Sequence, residues 1–213
     1  FISGETIVEE HIIGIPADAF MSENRPSSRF DEVRLAKEFV KFNERVFVRL
    51  LGDMHSGNFV IDITRDFEKW HYRMRPIDFD QQSHHYRKEV YLPHYFHQNG
   101  PFIAIGRKTL APENVLQYQT EERALIANRV RVSHGRFRNL MSVMTEDIIS
   151  TDDHVRRLRN QLAEHYQCDD FRYCLTMGEM VQTSINLVLA ASKPATIPLK
   201  EIHSAQEVKE GRV

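Results

Sequence analysis

Residues 51–62 read Leu-Gly-Asp-Met-His-Ser-Gly-Asn-Phe-Val-Ile-Asp, which sets Asp53 and Asn58 into a stretch broken by Gly52 and Gly57. Twenty residues beyond Asn58, the apolar pair Pro76-Ile77 leads into Asp78-Phe79-Asp80. Carboxylates and an amide oxygen are hard donors, and only one His and no Cys stand near them. Such a set suits Mg²⁺ held through a couple of protein oxygens, with water and phosphate at the remaining positions. Asp, Asn, Gly and Ser are also common turn residues, so either turn alone has a plain structural reading. The pairing is more specific: Asp-x-x-x-x-Asn opens a hairpin and apolar-Asp-Phe-Asp closes it.

The neighbouring elements have to bring those two turns together. Val46–Leu51 reads as a short buried strand that presents Asp53 at its end. Phe59–Ile63 and Tyr72–Ile77 read as the two arms of a β-hairpin joined by the charged loop Thr64–Trp70, which makes Asn58 and Asp78 neighbours. Before them, Val33, Leu35, Ala36, Phe39, Val40 and Phe42 recur mostly at three- and four-residue spacing, predicting an amphipathic helix from about Phe30 to Asn43. Thr6–Glu10 is a short β-rich run that continues into an extended connector, and residues 21–29 read as a loop. From about 112 to 191 the pattern is helical, with candidates at Glu113–Val132, Gly135–Ile149, Asp152–Tyr166 and Phe171–Leu189. Thr151 or Asp152 would cap the third, and Asp169 or Asp170 the fourth.

Composition narrows the class. With 213 residues, 41% hydrophobic and 27% charged, the chain can bury a real core as one domain. A formal net charge of −2 gives no reason to expect nucleic acid as a partner. No apolar run approaches membrane-spanning length, so no membrane partner is expected. Cys168 and Cys174 are too few for a disulfide framework and read as buried thiols of a cytoplasmic protein. His84, His85, His94 and His97 lie among aromatic residues just after Asp80. They read as a pocket wall or ordinary packing rather than a zinc site, since no metal-ligand spacing is evident.

Gly-Asp-Met-His-Ser-Gly-Asn and Ile-Asp-Phe-Asp together resemble the catalytic and metal-binding loops of the protein-kinase-like superfamily. They are most similar to its small-molecule branch, the aminoglycoside phosphotransferases and choline kinases. The resemblance implies an α+β fold, namely the mostly helical large lobe of a kinase-like protein with a small β-hairpin carrying both loops. By it, Asp53 is the catalytic Asp that accepts or orients the acceptor's hydroxyl proton. Asn58 and Asp78 hold Mg²⁺ against the ATP phosphates, and Asp80, at the more variable acidic position, is a further candidate metal ligand. His55 takes a loop-shaping role. Residues 1–20 resemble the interlobe hinge, where Glu10, His11 and Ile12 would offer backbone groups to adenine, and 21–213 would form the lobe itself.

The implied activity is ATP- and Mg²⁺-dependent transfer of the γ-phosphate to a hydroxyl of a small molecule. A catalytically silent kinase-like binding or scaffold domain is the alternative, and a metal-dependent hydrolase on the same carboxylates is a weaker third. Three departures bear on this choice. Leu51 stands where a His usually precedes Gly-Asp, the loop through Asp66–Trp70 is long, and no Gly-rich loop or strand lysine lies upstream of Thr6. The start at Phe1, without a methionine, reads as that of a fragment whose small lobe precedes it.

Overall fold

The structure, a computed structural model, describes residues 2–3, 6–7, 13–23, 30–67 and 69–192. Strands β1 (Ile2–Ser3) and β2 (Thr6–Ile7) pair antiparallel. Strand β3 (Ile15–Pro16) precedes helices α1 (Ala17–Glu23) and α2 (Glu32–Val48). The hairpin β4 (Phe59–Asp66) and β5 (Lys69–Pro76) follows, and β3 adds to it in the order β3-β4-β5, all antiparallel. Short 3-10 turns at Lys88–Tyr91, Pro93–Tyr95 and His97–Asn99 run into α3 (Gly100–Thr109). Helices α4 (Pro112–Val132), α5 (His134–Glu146), α6 (Asp152–Tyr166) and α7 (Met177–Ala191) complete an α+β chain dominated by helix.

Helix α2 organises the rest. Asp31 caps it, its carboxylate accepting from Arg34 N at 3.0 Å. Leu35, Phe39, Phe42 and Val46 form one apolar stripe, and they pack with Phe59, Ile61, Tyr72 and Met74 of the hairpin and with Phe102 of α3. The last turn also enters a second core, where Phe47 and Val48 join Leu158 and Leu162 of α6 and Met180, Val181 and Val188 of α7.

That double burial corrects the expected strand at 46–51. Val46-Phe47-Val48 is the buried end of α2, apolar all round because the helix is enclosed on both sides there. A continuous apolar run of this kind looks like a buried strand in sequence. The helix closes in a Schellman turn: Leu51 N donates to Val46 O at 3.1 Å and Leu50 N to Phe47 O at 3.0 Å. Leu50 occupies the left-handed position usually given to glycine, with φ of 48°.

Other boundaries also move. The hairpin arms extend to Asp66 and back from Lys69, so most of the expected loop is paired strand. Residues 17–23 are helical where a connector and loop were expected, and α3 fills part of the irregular segment after Asp80. Thr151 caps α6, its hydroxyl accepting from His154 N. Asp169 and Asp170 instead begin a 3-10 turn, and α7 starts at Met177 with Thr176 as its cap. Cys168 and Cys174 flank that turn as free thiols, the second buried and the first partly so.

Gly178 fixes how α7 crosses α5. A Cβ there would overlap the main-chain carbonyl of Met144, which no side-chain adjustment relieves. Gly178→Ala is therefore expected to cost about 3 kcal/mol, a fall of roughly 6–12 °C in Tm. A melting temperature within about 2 °C of the parent would contradict this crossing.

Candidate functional site

The segment from Leu50 to Asn58 is held almost wholly by main-chain bonds. Gly52 N donates to Gln81 O and Asp53 N to Val90 O, both at 3.0 Å, while Ser83 N donates to Leu50 O at 2.8 Å. Residues 81–90 thus leave and return to the chain beside Gly52 and Asp53. Gly52 is required by this closeness, since a Cβ would lie 2.7 Å from Gln81 O and 3.1 Å from Val90 Cγ1. Asp53 itself has φ of 56°, a left-handed conformation that Asp and Asn tolerate better than most side chains.

Within the turn, His55 N donates to Asp53 O and Asn58 N to His55 O, both at 2.9 Å. The Asn58 side-chain amide donates through Nδ2 to Asp53 O at 2.9 Å, which leaves Oδ1 as its open end. His55 Nδ1 accepts from Gly57 N at 3.0 Å, so its proton sits on Nε2 and the ring shapes the turn. The Asp53 carboxylate is half-buried and accepts no hydrogen bond from any described residue.

The hairpin carries the second half of the set. Its register places Phe59 opposite Pro76, and Ile77 N donates to Asn58 O at 3.0 Å. Asp78 therefore follows a residue bonded to Asn58, as the sequence pattern predicted. Asp78 Oδ1 accepts from Asp80 N at 3.1 Å, folding Asp78-Phe79-Asp80 into a small turn. Asp78 is half-buried, whereas Phe79 and Asp80 are exposed. Glu10, His11 and Ile12 lie outside the described residues.

A divalent ion fits this donor set only sparsely. Asn58 Oδ1 and the Asp78 carboxylate are two of the open oxygens of this set, and among the described residues no group of three or more His, Cys, Asp or Glu side chains is placed to hold a metal. Two protein oxygens match a Mg²⁺ whose other positions belong to water and phosphate.

Two contributors lie outside the predicted set of site residues. Asn99 is fully buried, and its Nδ2 donates to Met54 O at 2.9 Å and Pro93 O at 2.7 Å, propping the turn from below. Tyr91 is buried under the 81–90 loop and donates to His85 O at 2.6 Å; burial pushes its phenol well above the usual range, so it serves as a donor. Neither belongs to a motif, and the only signal for them was their place soon after Asp80. The His-rich segment also divides: His84 and His85 lie beside His154 of α6, while His94 bonds to Asn43 of α2.

No helix among the described residues is long and apolar enough to cross a membrane. No protein-family model, curated protein or solved structure matches this chain.

Proposed function

We propose that the protein is an ATP- and Mg²⁺-dependent phosphotransferase that moves the γ-phosphate to a hydroxyl of a small molecule, on the large lobe of a kinase-like fold. The observation that carries this reading is the linkage of three functional positions through Asn58: its amide bonds Asp53 O, and its carbonyl bonds Ile77 N next to Asp78.

In this reading the half-buried Asp53 orients the acceptor hydroxyl and takes its proton as the acceptor oxygen bonds to the γ-phosphorus and the bond to ADP breaks. Phosphoryl transfer asks for alignment and charge neutralisation more than covalent help, and a rigid main-chain cradle serves alignment. Asn58 Oδ1 and Asp78 would hold Mg²⁺, whose charge stabilises the phosphate oxygens when it is bound. Glu10, His11 and Ile12 keep their proposed role at the adenine, and Asp80 supports Asp78 through its main-chain N–H.

Leu51 favours the second reading, a catalytically silent kinase-like binding domain. It is fully buried and braces the loop by packing, where a polar side chain would otherwise reach it. Calorimetry of the full-length protein with ATP separates the outcomes. Mg²⁺-dependent binding, weakened about tenfold or more by Asp78→Ala, is expected of the phosphotransferase. Absence of ATP binding in both the presence and absence of Mg²⁺ would remove it.

A further inference from the structure

We propose that the cavity between α2 and α3, closed by residues 88–95 and by His165, is a binding site for a small uncharged molecule. That molecule would be mainly apolar and would carry one hydroxyl or N–H donor. The cavity measures about 420 Å³, within the size range of small-molecule sites, and lies apart from Asp53. Phe39, Leu92, Phe102 and Ile103 make up much of its wall.

The charges around it select against ions. Arg123 Nε binds the buried Glu44 carboxylate at 2.5 Å, and Lys88 Nζ binds Glu89 at 2.7 Å, so these two cations of the wall already have partners. Arg107, on the last turn of α3, also lines the cavity and has no ion-pair partner among the described residues, but it is exposed and solvent screens its charge. His94 and His165 keep exposed edges, yet burial of their packed sides disfavours the protonated form, with Lys88 and each ring's other cationic neighbours adding to it. An ammonium entering here would lose hydration and gain no free counter-charge, and a carboxylate would find only the solvent-screened Arg107.

The same contacts supply the preference for a donor. Asn43 Nδ2 donates to Phe39 O at 2.7 Å, which fixes its Oδ1 as an acceptor. That oxygen accepts from His94 N and lies 3.0 Å from His94 Nδ1, so Nδ1 carries the ring proton. His94, which lines the cavity, is left with Nε2 as a lone-pair acceptor.

The test uses the full chain without nucleotide, so its result is independent of the phosphotransferase reading. Phenol is the probe, with toluene, benzoate and benzylamine as size-matched controls, followed by the Ile103 methyl and His94 imidazole NMR signals. Saturable shifts with phenol are expected, with binding at least tenfold weaker for both ions and measurably weaker for toluene. Gly106 lines the cavity, and a Cβ there meets no heavy atom within 4 Å, so Gly106→Leu can fill the space without a clash. This variant is expected to stay folded and to lose phenol binding at least tenfold, and His94→Leu to abolish the preference for phenol over toluene. Benzoate or benzylamine binding as tightly as phenol, no shift up to millimolar phenol, or undiminished binding to folded Gly106→Leu would each overturn the proposal.

Discussion

Asp53→Asn is expected to lower phosphoryl transfer by about two to four orders of magnitude, the range of a positioned general base, while ATP binding stays within a fewfold of the parent. Asn is the informative replacement because it tolerates the left-handed backbone that Asp53 adopts at φ of 56°. It also leaves undisturbed the carbonyl that accepts from the Asn58 amide. Loss of activity would therefore report the missing carboxylate and not a collapsed turn. The measurement is ATP consumption by the full-length protein across a panel of hydroxyl-bearing acceptors, with calorimetry as the binding control. Equal turnover in parent and variant would end the assignment of Asp53 as the catalytic carboxylate. Loss of nucleotide binding alongside turnover would show that Asp53 holds the loop together instead.

The second large effect concerns stability. Arg45 is buried between three elements: its guanidinium bonds Glu38 at 2.5 Å and Met74 O at 3.1 Å, and approaches Glu122 of α4 at 3.3 Å. Glu38 in turn accepts from Met74 N at 2.9 Å, so one ion pair joins α2 to the hairpin. Glu122 is fully buried, and neither of its oxygens has an aligned hydrogen bond among the described residues. Arg45→Met would strand two buried carboxylates and is expected to cost about 3–5 kcal/mol, measured as a shift in urea midpoint. Replacing Glu122 by Leu in the same chain should return part of that loss, because the penalty comes from uncompensated charge more than from a missing attraction. The exposed pair Lys108–Glu32 provides the contrast, where Lys108→Ala should change stability by no more than about 0.5 kcal/mol. A loss below about 1 kcal/mol for Arg45→Met would show that water reaches the cluster and screens it.

Much of this arrangement could be read before any coordinates. The hairpin was legible because Phe59-Val60-Ile61 and Tyr72–Ile77 carry β-rich residues on either side of a charged turn. The block from 112 to 191 was legible because its apolar residues recur at helical spacing over long stretches. The proximity of Asn58 to Ile77-Asp78 then followed from strand pairing alone. The end of α2 was hidden because burial on two sides removes the polar face that gives a helix its period. Helix α3 was hidden by Gly100-Pro101, which looks like a break. Proline is tolerated in a helix's first turn, where its missing N–H leaves no bond unmade. The start of α7 did leave a trace in Thr176-Met177-Gly178-Glu179: the Thr176 hydroxyl accepts from Glu179 N at 3.1 Å, and the Glu179 carboxylate accepts from Leu175 N. Asn99 left only its place soon after Asp80, because one of the carbonyls that hold its buried amide, Met54 O, comes from a distant part of the chain.

The Schellman turn ending α2 has a consequence for how the molecule moves. The residues that close this helix also begin the segment carrying Asp53, and the helix itself is shared by both apolar clusters. Loosening the turn would therefore mean fraying a helix end clamped from either side, so local opening is no cheaper there than in the interior. Amide protons from Val46 to Asp53 should accordingly exchange with solvent as one slow cooperative unit, the behaviour of a segment whose shape is set in advance.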